Sequence, residues 1–121
     1  CPYHAGCVEG LASGPAMEKR WGVSARELPA DHPAWDLEAY YLAQVCTVAL
    51  MTLSTERIIL GGGVMSQTRL FPLIRRKTAE MVNGYLSGRH ATALEETIVP
   101  PACFPDSGLV GSLLLGVEAL R

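Results

Sequence analysis

Apolar positions along the chain recur in two rhythms, and the rhythms alternate. Between Ala34 and Leu53 the residues Leu37, Tyr40, Tyr41, Val45, Val48, Ala49 and Thr52 return at helical spacing, which predicts a long helix with that face buried. Residues 57–60 are instead a short β-branched apolar run that ends in Gly61-Gly62-Gly63, the pattern of a buried strand and a glycine turn. Leu70, Leu73, Ile74, Met81, Val82 and Tyr85 form a second helical stripe and predict a helix over 70–86. After a connection at 88–95, Thr97-Ile98-Val99 reads as another strand, stopped by Pro100-Pro101. Asp106 or Ser107 then caps a last helix running to about Leu120.

The segment before the long helix, CVEGLASGPAMEKRWG, is helical in composition but interrupted at Ser13-Gly14-Pro15. Proline is excluded from helix interiors and suits the first turn, so two short helices are predicted, over 7–12 and 15–21, the second closed by Gly22. Residues 1–6 and 23–33 read as loops. The strand–helix–strand unit predicts an α/β fold that is helix-rich and has a short parallel sheet. Two short strands make a thin sheet for a domain, which suggests further strands elsewhere in a longer protein. The chain also opens on Cys1-Pro2 without an initiator Met, inside a motif, and a fragment is expected on that ground.

Composition narrows the function classes. The chain has 121 residues, 49% of them hydrophobic and 18% charged, enough for one small folded domain. A net charge of −2 and 7% aromatics favour neither nucleic acid nor an anionic membrane. The apolar stretches around 45–53 and 113–120 are too short or too interrupted to span a bilayer. Cys46 and Cys103 lie in apolar text and read as buried core residues.

Cys1, His4 and Cys7 are different. Thiolate and imidazole are the preferred zinc ligands, and spacings of two residues let one loop wrap an ion. The cluster fits a metal site in a reducing compartment better than a disulfide framework. Taken alone it also fits three unrelated residues of a surface loop. His32 and His90 lack a metal-like context, so a fourth ligand is expected before Cys1. The glycine run after the strand is open in the same way. It either brings backbone N–H groups close to a phosphate or makes a tight turn, and it is neither G-x-G-x-x-G nor a Walker A.

Together these segments resemble the fructokinase branch of the ROK family. The resemblance rests on Cys1-Pro-Tyr-His-x-Gly-Cys-Val-Glu-Gly-Leu-Ala-Ser-Gly-Pro-Ala, His32-Pro-Ala-Trp-Asp36, Glu56-Arg-Ile-Ile-Leu-Gly-Gly-Gly-Val-Met65 and Pro105-Asp-Ser-Gly108, in that order. It implies an actin-like (ribonuclease H-like), two-lobed fold of which residues 1–121 form part of the C-terminal lobe. Within it, 1–22 would be the zinc and sugar loop with its helices, 34–86 the nucleotide region, and 97–121 the last strand and helix. The implied activity is transfer of the γ-phosphoryl group of ATP, with Mg²⁺, to a hexose hydroxyl. Fructose is favoured, with mannose and glucose open. By resemblance Cys1, His4 and Cys7 would bind structural Zn²⁺ and Glu9 would accept bonds from sugar hydroxyls. Gly61, Gly62, Gly63, Val64 and Met65 would line the nucleotide site, with Pro15 against the adenosine. The bland alternatives for Glu9 and for 61–65 are a helix-start carboxylate and a turn. A cytoplasmic location, a homodimer partner and a missing N-terminal lobe are also implied.

The family's D-x-G-x-T hairpin, its G-N-D-x segment and its second glycine turn are not found in this sequence. Asp31, Asp36 and Asp106 have no such context; Asp36 reads as a helix-start residue and Asp106 as a cap. No catalytic residue is therefore named, and the chain alone is expected to be inactive. Arg57 and Arg89 are read as solvated. The rival readings are a zinc-stabilised nucleotide- or sugar-binding module and a piece of a ROK-type repressor. The last helix is apolar nearly all round and would seek burial on several sides.

Overall fold

Helix starts follow local chemistry. In the computed structural model, which describes residues 1–4, 6–103 and 105–121, helix α1 (Val8–Ala12) ends at an extended Ser13 and α2 (Gly14–Trp21) begins there. The Ser13 hydroxyl accepts from Ala16 N–H at 3.3 Å, and Pro15 sits in the first turn, where an N–H would have no helical partner. Gly22 closes α2 at φ 77°. The start of α3 (Ala34–Leu53) falls on Pro33, which has no side-chain acceptor. His32 Nδ1 fills that role by accepting from Ala34 N–H at 3.1 Å, and its ring meets Trp21 edge-on at 4.9 Å.

β1 (Ile58–Ile59) and β2 (Ile98–Val99) pair in parallel, Ile58 opposite Ile98. Between them run a 3-10 turn (Val64–Ser66), α4 (Leu70–Val82) and the short helices α5 (Arg89–Thr92) and α6 (Leu94–Thr97); α7 (Ser107–Glu118) follows β2. The architecture is thus helix-rich with a two-stranded parallel sheet. Met17, Cys46, Leu50, Leu70, Ile74 and Ile98 are fully buried in one core cluster. From α4, the Arg75 guanidinium donates to Ile98 O at 2.7 and 3.0 Å and lies over the Phe71 ring. It satisfies a strand carbonyl and ties α4 to the sheet. Asp36, in the first turn of α3, pairs with the largely buried Lys77 at 2.8 Å and with the exposed Arg76 at 3.6 Å, the latter a surface contact of about 0–1 kcal/mol.

The structure corrects several expectations. The buried face of α3 is Ala34, Trp35, Glu38, Ala39, Ala43, Cys46 and Leu50, whereas Tyr40, Val48 and Thr52 are exposed. α3 packs on both α1 and α4, and Ala39, Ala43 and Cys46 in the middle of its buried face let neighbouring backbones approach, which leaves Tyr40 and Val48 on the outer flank. α4 stops at Val82 because Asn83 (φ 45°) and Gly84 (φ 75°) turn left-handed, and Tyr85 is left exposed. The connection over 88–95 is not irregular; it folds into α5 and α6, and Thr97 ends α6 instead of opening the strand. Cys103 is exposed, in the turn after Pro100-Pro101 where the chain has left the sheet. Cys46 is buried as expected, and burial pushes its thiol up to about 11. Asp106 occupies the N-cap of α7 without a side-chain capping bond. α7 contributes no buried residue.

Glu38 is the costly member of the core. It is 1% exposed, and neither carboxylate oxygen has a partner among the described residues. Burial pushes its pKa from 4.5 up to about 7, against the opposing pull of the Arg20 charge. A raised carboxyl pKa means the folded chain holds a proton that the unfolded chain releases. Stability therefore falls as pH rises from about 4.5 to about 7 and levels off above that. The gap corresponds to roughly 3 kcal/mol. Glu38→Gln removes this slope. Its thermal midpoint should exceed that of the wild-type chain increasingly between about pH 4.5 and 7.5, and an offset equal at both ends would refute the assignment.

Candidate metal loop and ligand cavity

Cys7 is the extended N-cap of α1, without a side-chain capping bond, so its sulfur sits beside the positive end of that helix. The N–H of Gly10 is the main influence holding the Cys7 thiol below its usual range. Burial works against it, while the His4 hydrogen bond and charge and the Glu9 N–H act in the same direction as Gly10. The donor atoms of Cys1, His4 and Cys7 all lie within 4.8 Å of one another. Cys1 Sγ is 3.5 Å from His4 Nδ1. A tetrahedral zinc with Zn–S of about 2.3 Å and Zn–N of about 2.05 Å has an S···N edge of about 3.6 Å, so the residues fit the ion. The group supplies three donors. His32 is committed to the α3 cap, and His90 lines a separate cavity with Arg57 and Arg89.

The predicted sugar and nucleotide residues come together. Glu9, Pro15 and the run Gly61 to Met65 line one open cavity of about 560 Å³. Glu9 and Pro15 also line the adjoining cavity of about 640 Å³, whose other walls include Cys1, His4 and Gly10. The two residues thus stand on the ridge between the metal loop and the glycine turn. Local chemistry shapes that turn. Gly62 has φ 94°, a conformation that side chains disfavour. A Cβ on Gly61 would stand 3.0 Å from the Pro101 ring, so the proline that stops β2 also closes on the end of β1. Met65 is buried, and Val64 faces the start of α2.

Sequence reading missed part of this wall. Ser24, Ala25, Arg26 and Leu42 line the same cavity. The first three lie in the segment taken as plain loop, and only the helical phase of Leu42 could have pointed inward. Arg26 is the cation on a wall that otherwise carries the carboxylates of Glu9 and Glu18. Arg57 and Arg89 are exposed, and Arg89 pairs with Glu96 at 2.6 Å. Among the described residues no helix is long and apolar enough to cross a membrane.

The metal loop and the glycine turn thus flank adjoining cavities that share Glu9 and Pro15, and comparison defines the class. Residues 1–118 match the ROK family profile, and the chain belongs to that family. It is 44% identical over 121 residues to a fructokinase of Pediococcus pentosaceus, covering 100% of this chain and 41% of that protein. It is 42% identical over 122 residues to a putative fructokinase of Bacillus subtilis (strain 168), again covering 100% and 41%. A fructokinase of Zymomonas mobilis is 41% identical over 121 residues, covering 98% of this chain and 39% of the relative. The chain spans about two-fifths of the length of these curated relatives.

The thiols should report this environment. In the metal-free chain at neutral pH, Cys7 should alkylate well before Cys46, whose buried thiol titrates near 11. Added zinc should protect Cys1 and Cys7 and leave the exposed Cys103 labelled. Mass spectrometry after brief alkylation reads all four sites, and equal labelling of Cys1, Cys7 and Cys103 with zinc present would exclude a metal loop.

Proposed function

We propose that this chain is part of the C-terminal lobe of an ATP-dependent hexose kinase with an actin-like fold, and that fructose is its sugar. The observation that carries the reading is the single cavity shared by Glu9, Pro15 and the Gly61–Gly62–Gly63 turn. The names of the relatives support the kinase over a repressor or a stand-alone binding module.

Each residue has a physical task in this reading. The Gly61–Gly63 turn offers backbone N–H groups to nucleotide phosphates without side chains in the way. Pro15 presents a rigid ring to the adenosine. Glu9 accepts bonds from two sugar hydroxyls, fixing which hydroxyl faces the phosphate. Cys1, His4 and Cys7 hold structural zinc and so keep the start of α1, and Glu9 with it, in place. Bound Mg²⁺ neutralises charge on the transferring phosphoryl group. The transfer breaks the bond from the γ-phosphorus to its bridging oxygen and forms one to the sugar oxygen, whose proton leaves to a base. No residue of this chain is assigned as that base. The remaining length of the kinase supplies it, together with a cover for α7. The protein works in the cytoplasm as a dimer.

Kinetics of the whole kinase separate the two walls. Gly62→Ala forces a left-handed alanine and should raise the KM for ATP about tenfold with little change for the hexose. Glu9→Gln should raise the hexose KM by about ten- to a hundredfold and spare ATP, because a charged acceptor is lost. The 121-residue chain alone should transfer no phosphate above background. Variants that move both constants equally, or neither, would overturn the arrangement.

A further inference from the structure

Gly10 stands between the two thiol ligands of the metal loop, three residues after Cys7 on α1 and against the backbone of Cys1. A methyl built on its Cα would stand 3.1 Å from Cys1 N, 3.3 Å from Cys1 Cβ and 3.8 Å from Cys1 Cα. The backbone of Cys1 therefore rests against the bare Cα of Gly10, inside α1 and one residue beyond Glu9. Backbone conformation does not call for glycine here, because Gly10 is absent from the positive-φ residues Gly22, Gly62 and Gly84. Alanine is the better helix former at such a position. What the glycine supplies is room for Cys1.

We propose that Gly10 is a positioning residue of the metal loop, its missing side chain letting Cys1 close onto the helix that carries Cys7 and Glu9. The inference rests on the reading of Cys1, His4 and Cys7 as metal ligands. Contacts of 3.1 and 3.3 Å are too tight for a methyl, so Cys1 must yield by a few tenths of an ångström. Metal–ligand distances tolerate only about 0.2 Å, so that displacement falls on the ion. The neighbouring Gly6 is a built-in contrast. It lies in the same loop, yet a Cβ there would meet nothing within 4 Å.

The test compares zinc affinity of the full chain, Gly10→Ala and Gly6→Ala by competition with a chromophoric chelator, alongside the thermal midpoint of each metal-free chain. Gly10→Ala should bind zinc about ten- to a hundredfold more weakly, with a metal-free midpoint equal to or above that of the wild type. Gly6→Ala should match the wild type in affinity. Zinc affinity within twofold of wild type in Gly10→Ala would overturn the inference. An equal loss in Gly6→Ala would do the same, and so would a metal-free Gly10→Ala chain that no longer folds, since the contact would then belong to the core. Absence of zinc binding by the wild-type chain would instead remove the metal reading on which the inference stands.

Discussion

The packing of α3 is the constraint on which the rest of the structure depends. This helix carries α1 and α4 on its flanks; α1 bears one half of the candidate site, and α4 directly follows the turn that bears the other. α1 holds Cys7 at its N-cap and Glu9 in its first turn. α4 follows the strand and glycine turn that supply Gly61 to Met65. Ala39, Ala43 and Cys46 are fully buried along α3, and side chains of that size let helices approach closely. A larger residue at any of them would push a flank outward and separate the walls of the cavity. Leu42, on the same helix, lines that cavity directly.

The same helix explains why a buried carboxyl is tolerated. Glu38 is one turn from Leu42 and has no hydrogen-bond partner among the described residues. Burial without a partner disfavours the charged form, so the residue keeps its proton up to about pH 7, well above the ordinary carboxylate range. The cost is spread over a core of large apolar residues, with Met17, Leu50, Leu70 and Ile74 all fully buried.

Punctuation was the most legible part of the sequence. Pro15, Gly22 and Pro100-Pro101 act through covalent geometry, which neighbours cannot override, so the helix break, the helix end and the strand end fall where the residues say. The parallel pairing followed from the strand–helix–strand order. The buried side of α3 was not legible, because a helix packed on two flanks has apolar residues most of the way round and periodicity cannot choose a face. Cys103 failed for a related reason: apolar neighbours in sequence say nothing about whether a layer covers them. The metal triad and glycine turn were visible as residue types. Their meeting across Glu9 and Pro15 was not, since it arises from the fold of α1 and α2 over the strand end.

What lies exposed carries the last step. Leu109, Leu113, Leu114 and Leu115 of α7 are 62–70% exposed, and Ile59 of β1 is 61% exposed. Single apolar residues on a surface mean little, but a helix with no buried residue and a mean composition this apolar is not stable in water on its own account. Propensity cannot hold it either, for Gly108, Gly111 and Gly116 weaken it at short intervals. In the proposed kinase, contacts from the remaining length would hold it; this chain spans about two-fifths of its relatives. In the proposed kinase the same added length would also carry the base and the phosphate hairpin, so that covering the apolar faces and completing the chemistry would be one event.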